Sequence, residues 1–185
     1  MHAVPTAHPE VKLIEAEILR DARGVFVETY QQRKFAELGI TNAFVQDNYS
    51  RSMRGTLRGL HYQLAHPQAK LCRVLRGEVL DVAVDVRRGS PSFGKWVSAR
   101  LSGRNMRQIF VPAGFAHGFM VMSAEAEFFY KCDDFYFPDD QYGIRWNDPI
   151  LEIEWGIADP LLSERDRELP GLADLPESSL PAYRP

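Results

Sequence analysis

The segment Leu57-Arg58-Gly59-Leu60-His61-Tyr62-Gln63, followed by Lys70, gathers a guanidinium, an imidazole and an ammonium at the edge of a strand-rich region. A second histidine, His117, follows much later in Pro112-Ala113-Gly114-Phe115-Ala116-His117-Gly118-Phe119. Histidine exchanges protons near neutral pH, while Arg and Lys hold fixed positive charge suited to phosphates and oxyanions. If these groups converge, they form a site that binds an anionic substrate and moves a proton. A metal reading competes, because two histidines in a β barrel invite one. His61, however, is followed by Gln63 where a His-x-His pair needs a second ligand, and His66 lies in a Pro-containing loop. With Lys70 expected close by and no carboxylate nearby, the set falls short of usual ligand counts, so no catalytic metal is expected.

The metal-free reading uses the same residues better. His61 can remove a proton if a carboxylate holds its other nitrogen and fixes the tautomer. Lys70 can stabilise an oxygen that gains negative charge. Arg23 and Arg58 have the forked donors that grip a phosphate or pyrophosphate. Tyr130, before Lys131, can donate a proton from another direction. Singly, each has a duller explanation: a hydrogen-bonded core histidine, a packed tyrosine, a solvated arginine. Only coincidence in space changes that.

The elements that must position these groups read as short strands bounded by Gly, Pro, Asn and Asp. Residues 78–86 alternate, with Leu80, Val82, Val84 and Val86 on one face and Val79, Asp81, Ala83 and Asp85 on the other. Residues 70–76 read as the preceding strand, and Gly77 predicts a tight hairpin between the two. Residues 96–101, 106–111, 118–123 and 127–132 continue the series. This spacing predicts a mostly β fold, an antiparallel jelly-roll barrel or sandwich. Short helices flank it, over 31–38 with Gly39 as C-cap, and from Ser163 as N-cap. One difficulty is local. Arg58 and His61 are three residues apart, so strict alternation puts them on opposite faces, and a bulge at Gly59 is predicted to bring them together.

A chain of 185 residues with 45% hydrophobic content fits one domain with a sizeable core, ending in a loosely held Pro- and Ser-rich tail from about 174. Net charge is −3 and the basic residues are scattered among acids, which argues against nucleic-acid binding. No apolar run has signal-peptide or membrane-span length. Cys72 and Cys132 are too few for a disulfide framework and read as reduced thiols of a cytoplasmic protein.

Further landmarks appear in order: Phe44-Val45-Gln46-Asp47-Asn48, Gly77-Glu78-Val79, Asp81-Val82-Ala83-Val84-Asp85, Ser90-Pro91-Ser92-Phe93-Gly94, Tyr130-Lys131, Trp146-Asn147-Asp148-Pro149 and Ile153-Glu154-Trp155. With the Arg58–His61, Lys70 and His117 motifs, they closely resemble the dTDP-4-dehydrorhamnose 3,5-epimerases, metal-independent cupins of nucleotide-sugar biosynthesis, over about 23–166. The resemblance implies His61 as base, Asp166 as its paired carboxylate, Tyr130 as proton donor on the opposite sugar face and Lys70 beside the C4 oxygen. It implies substrate contacts from Arg23, Phe26, Glu28, Gln46, Asn48, Arg58, His117 and Tyr136. Gln141 and Arg165 depart from the family, where an acid and a lysine are common, and bear on nucleotide contacts. No cofactor is implied, consistent with the absence of a GxGxxG fingerprint or a complete metal motif. The implied substrate is a dTDP-linked 4-keto-6-deoxy sugar. The implied assembly is a homodimer with exchanged N-terminal strands, in which Arg23 and Glu28 serve the neighbour's pocket. Alternatives are an epimerase acting at one carbon, a metal-dependent cupin oxygenase and a non-catalytic nucleotide-sugar-binding cupin.

Overall fold

A computed structural model describes residues 1–184. In chain order its strands begin with β1 (His2–Val4), β2 (Lys12–Glu15), β3 (Leu19–Asp21) and β4 (Gly24–Phe26), followed by helix α1 (Gln32–Glu37). Then come β5 (Gln46–Met53), β6 (Leu57–Gln63), β7 (Lys70–Arg76), β8 (Glu78–Asp85) and β9 (Trp96–Ser102). Strands β10 (Gln108–Val111), β11 (Phe115–Val121), β12 (Glu125–Cys132) and β13 (Gln141–Gly143) precede the one-turn helix α2 (Glu164–Arg167). A six-stranded sheet runs β1-β2-β10-β7-β12-β5, a five-stranded sheet β13-β6-β11-β8-β9, and β3-β4 stand apart as a ribbon. Every ladder in these sheets is antiparallel. This is the jelly-roll arrangement the strand spacing predicts.

Three apolar cores explain why some strands alternate and others are apolar throughout. Between the sheets lie Cys72, Val79, Ala83, Leu101, Ile109, Phe119 and Phe128. On the outer face of the five-stranded sheet, Leu60, Val82, Val84 and Met120 are covered by the later chain through Ile144, Leu151, Trp155 and Leu172. On the outer face of the other sheet, Leu71 and Phe110 are covered by Phe35 of α1 and by Ile40. Each fully buried large side chain contributes about 1.5–3 kcal/mol. Strand β11 is therefore buried along its whole length, and β8 carries its two apolar rows into two different cores.

The structure corrects one local expectation. Strands β7 and β8 do not form a hairpin, because they belong to opposite sheets. Gly77 (φ +82°) instead carries the chain from one sheet to the other, and a Cβ there would run into the Glu125 carbonyl oxygen. The strand expected at 118–123 begins earlier, so His117 lies within it. Helix α1 starts from Gln31, whose Oε1 accepts from Lys34 N at 2.8 Å, and Gly39 (φ +78°) follows its end.

The tail from 174, expected to be loosely held, is tied to the barrel. Tyr62 Oη donates to the Ser179 carbonyl (3.1 Å), Arg88 N donates to Pro181 O (2.7 Å), and Tyr183 N donates to Arg88 O (3.0 Å). A buried clamp fixes the N-terminal segment nearby. Arg87 donates to both oxygens of Asp85 at 2.9 and 2.8 Å and to both oxygens of Glu10 at 2.8 Å. Ser90 and Ser92 hydroxyls also donate to Asp85, at 2.6 and 2.7 Å. Burial alone would raise the Asp85 pKa, but these donors outweigh it and hold the carboxyl at about 2.

Candidate active site

The bulge that the sequence requires at Gly59 is present. His117 pairs with His61 and Phe119 with Arg58, so two steps along β11 face three along β6. Gly59 adopts φ +119°, and a Cβ on it would sit 2.6 Å from Gly118 Cα and 2.7 Å from His117 O. A Cβ on Gly118 would sit 2.7 Å from Arg58 O. Two bare backbones thus touch where the strand changes phase, and Arg58 and His61 both line one cavity of about 630 Å³.

His61 Nε2 lies 2.6 Å from Asp166 Oδ1. Asp166 is 4% exposed. It sits on α2, where Ser163 Oγ caps the turn by accepting from Asp166 N at 3.1 Å. An ionised carboxylate only accepts hydrogen bonds. Nε2 therefore carries the ring proton and the lone pair is left on Nδ1, which makes no hydrogen bond to protein among the described residues. That is the arrangement a general base needs.

Tyr130 comes from the other sheet. It lies on β12, paired with Cys72 of β7 and Asn48 of β5, and lines the same cavity. His61 and Tyr130 thus reach one cavity from different sheets. Burial pushes the Tyr130 hydroxyl well above its ordinary value, with smaller contributions from the two cysteines, so it holds its proton at neutral pH.

Lys70 at the start of β7 also lines the cavity, and its Nζ has no hydrogen-bond or ion-pair partner among the described residues. Among the described residues Arg58 meets only the Ser52 hydroxyl, with Nε and Nη2 at 3.2 and 3.1 Å. Two cations without a protein carboxylate leave the site prepared for an anion. At the rim, Tyr136 Oη donates to Gln141 Oε1 (2.7 Å) and Arg165 Nη2 donates to the Gln141 carbonyl (2.9 Å). Gln46 joins them by accepting from Tyr136 N at 2.9 Å and by donating to Asn48 Oδ1 at 3.2 Å. Gln46 lines an adjoining recess of about 290 Å³.

Three sequence-predicted residues are placed elsewhere. Arg23 and Phe26 lie on the β3–β4 ribbon, outside the residues lining the cavity and recess just described, and line a separate hollow of the ribbon itself. Arg23 pairs with Asp21 at 2.6 Å, and Glu28 with Lys34 at 2.7 Å. Sequence reasoning also missed Asp81, a fully buried carboxylate 2.9 and 3.0 Å from His117 Nε2. Its signal was an acid on the β8 face shared with Val79, Ala83 and Asp85. Gln63, which argued against a metal pair, turns out to hold the rim loop. Its amide donates to His66 O (2.7 Å) and Phe135 O (3.1 Å) and accepts from Phe137 N (2.8 Å).

Comparison with known proteins gives the same direction. The family model for dTDP-4-dehydrorhamnose 3,5-epimerase matches residues 5–174. A dTDP-4-dehydrorhamnose 3,5-epimerase from Pseudomonas aeruginosa is 56% identical over 176 residues, covering 94% of this chain and 97% of that one. The crystal structure of dTDP-6-deoxy-D-glucose-3,5-epimerase from Legionella pneumophila, in complex with dTDP-4-keto-L-rhamnose, superimposes with a TM-score of 0.96 at 49% identity, covering 100% of this chain and 99% of that one. A 3'-monoepimerase from Streptomyces bikiniensis in complex with dTDP-quinovose follows with a TM-score of 0.90 at 33% identity, covering 99% and 93%. The fold is thus of the cupin type those enzymes share. Matched nearly end to end in sequence and structure, the chain belongs to the dTDP-4-dehydrorhamnose 3,5-epimerase family.

Proposed function

We infer that the protein epimerises C3 and C5 of dTDP-4-dehydro-6-deoxy-D-glucose to give dTDP-4-dehydro-L-rhamnose. The observation that carries this reading is a His61–Asp166 base and a protonated Tyr130 that reach one cavity from different sheets. The substrate's C4 ketone acidifies the hydrogens on both neighbouring carbons, because either carbanion delocalises onto the same oxygen. His61 Nδ1 takes a C–H proton and becomes an imidazolium, which Asp166 stabilises through Nε2–H. The enolate oxygen rests against the Lys70 ammonium. Tyr130 then delivers its proton to the opposite face, inverting the carbon, and base and phenol reset by exchange with solvent. A second round at the other α carbon completes the product. Arg58 supplies charge for the diphosphate, and Tyr136, Gln141 and Arg165 contact the nucleotide at the rim.

Turnover in D2O tests this. Deuterium at both C3 and C5 of the product is expected, whereas label at one carbon would establish a mono-epimerase instead.

Two further parts of the reading concern assembly and place. The protein works as a homodimer in which the β3–β4 ribbon reaches the neighbour's cavity, bringing Arg23, Phe26 and Glu28 to the nucleotide. Support comes from the ribbon itself, which leaves Leu19, Val25 and Phe26 at 53%, 49% and 68% exposure. The protein acts in the cytoplasm, a reading supported by its two free buried thiols. No described helix is long and apolar enough to cross a membrane.

A further inference from the structure

Cys72, Asp81 and His117 meet inside the barrel, and nothing in the proton-transfer chemistry uses Cys72. Its Sγ lies 3.8 Å from His117 Nε2. The same nitrogen lies 2.9 and 3.0 Å from the two Asp81 oxygens. All three residues are buried, and one ligand-type atom from each falls within 4.8 Å of the others. The thiol comes from β7 in the six-stranded sheet, while the carboxylate and imidazole come from neighbouring strands β8 and β11 of the five-stranded sheet.

We propose that this trio is a binding site for a soft divalent cation of the Zn2+ or Cd2+ kind, which bridges the two sheets and inhibits the enzyme from the cavity floor. The geometry is close to what such an ion needs. With metal–nitrogen, –oxygen and –sulfur bonds of about 2.0–2.3 Å, tetrahedral coordination sets N···O near roughly 3.4 Å and N···S near roughly 3.6 Å. The two separations made by His117 Nε2 differ from these by no more than about half an ångström, and the sulfur and carboxylate lie within 4.8 Å of each other, which side-chain rotation can close onto one ion. One thiolate and one carboxylate neutralise a divalent charge, so the filled site is neutral in an apolar interior. The sulfur selects against Mg2+ and Ca2+, which prefer several oxygens.

Binding replaces the Cys72 S–H bond with a sulfur–metal bond and releases the proton to solvent. Burial raises the thiol pKa, so that proton leaves for a metal and not for bulk water alone. Asp81 binds through a lone pair, and His117 through Nε2 once the proton that Nε2 directs at Asp81 has left to solvent and another has been taken up at Nδ1, so the ring stays neutral. His117 lines the cavity and provides the way in. His117 shares that cavity with Lys70, which lies two residues from Cys72 on β7. A metal-bound His117 is withdrawn from the cavity wall that the substrate must contact, which sets metal against substrate. With three protein ligands, two of them already hydrogen-bonded to each other, the site is weaker than a closed four-ligand Cys/His zinc site, so it is an inhibitory site and not a resident cofactor site.

The test uses chelator-stripped full-length protein with CoCl2 and ZnCl2 as probes. One Co2+ per chain is expected, with thiolate-to-metal charge-transfer absorption, and Zn2+ should inhibit competitively with substrate. Cys72→Ser should lose that absorption and need at least about tenfold more Zn2+ for half-inhibition. In chelator its turnover should match the parent's. Cobalt bound without the thiolate band, no bound cobalt, or a Cys72→Ser enzyme as zinc-sensitive as its parent would each overturn the proposal. If Cys72→Ser does not fold, the parent's cobalt spectrum decides by itself. That spectrum needs no turnover, so it stands or falls separately from the epimerase reading.

Discussion

In the proposed reaction His61 and Tyr130 act on the same carbon from opposite sides, so their loss should have different consequences. His61→Ala removes the base and should lower kcat by about 10²–10⁴-fold, with both inversion and solvent exchange abolished. Tyr130→Phe leaves the base in place. It should keep exchanging substrate hydrogen with D2O from one face while net epimerisation falls, a separation that NMR of substrate and product reads directly. Because burial raises the Tyr130 pKa above the ordinary 10, the phenol keeps its proton as pH rises. The pH–rate profile should therefore show no loss from phenol ionisation below about pH 10. An alkaline limb that vanishes in Tyr130→Phe would contradict this. At this scale much of the site was legible, since Arg58, His61, Lys70 and Tyr130 announce their chemistry by type. Asp81 was not, because an acid in an alternating strand reads equally well as a solvent-facing residue. Only the second core, packed on the sheet's far side, turns that row inward.

The one-turn helix α2 and the bulge in β6 do the aiming. Ser163→Ala removes the cap under Asp166 and should cost about 1 kcal/mol of stability, with kcat falling more than KM rises as the carboxylate loosens. Calorimetry and steady-state kinetics would check both halves. The strands were readable because period-two patterning survives in β7, β8 and β12. The junction at Gly77 was not. A glycine with positive φ serves a tight hairpin and a crossing between sheets alike, and what separates them is the distant carbonyl of Glu125. The Gly59 bulge was legible for the opposite reason. Two residues of known chemistry stood at a spacing that a regular strand cannot place on one face.

For the molecule as a whole, the Asp85–Arg87–Glu10 clamp makes stability depend on acid. The folded pKa of Asp85 lies below its ordinary 3.8, at about 2. Its contribution, on the order of 2 kcal/mol, is therefore complete above about pH 4 and is lost as pH falls towards 2. Asp85→Asn should lower the melting temperature at pH 7, and the gap from the parent should narrow between pH 4 and 2. Assembly has its own test. If the β3–β4 ribbon serves the neighbour's cavity, inactive His61→Ala and impaired Arg23→Ala subunits, unfolded and refolded together, should regain activity. A mixed dimer then holds one cavity with both groups intact. Activity no greater than the sum of the separate variants would place Arg23 outside the neighbour's site. The bare contact between Gly59 and Gly118 also divides the cavity by how freely it can change. Its floor is aimed by main chain against main chain, with no room for a methyl group, so any side chain introduced there moves the His61 ring itself. The rim is held by side chains of Tyr136, Gln141 and Arg165 that meet at the surface. Substitutions that alter which sugar nucleotide is accepted can therefore accumulate at the rim while the proton-transfer geometry below stays the same.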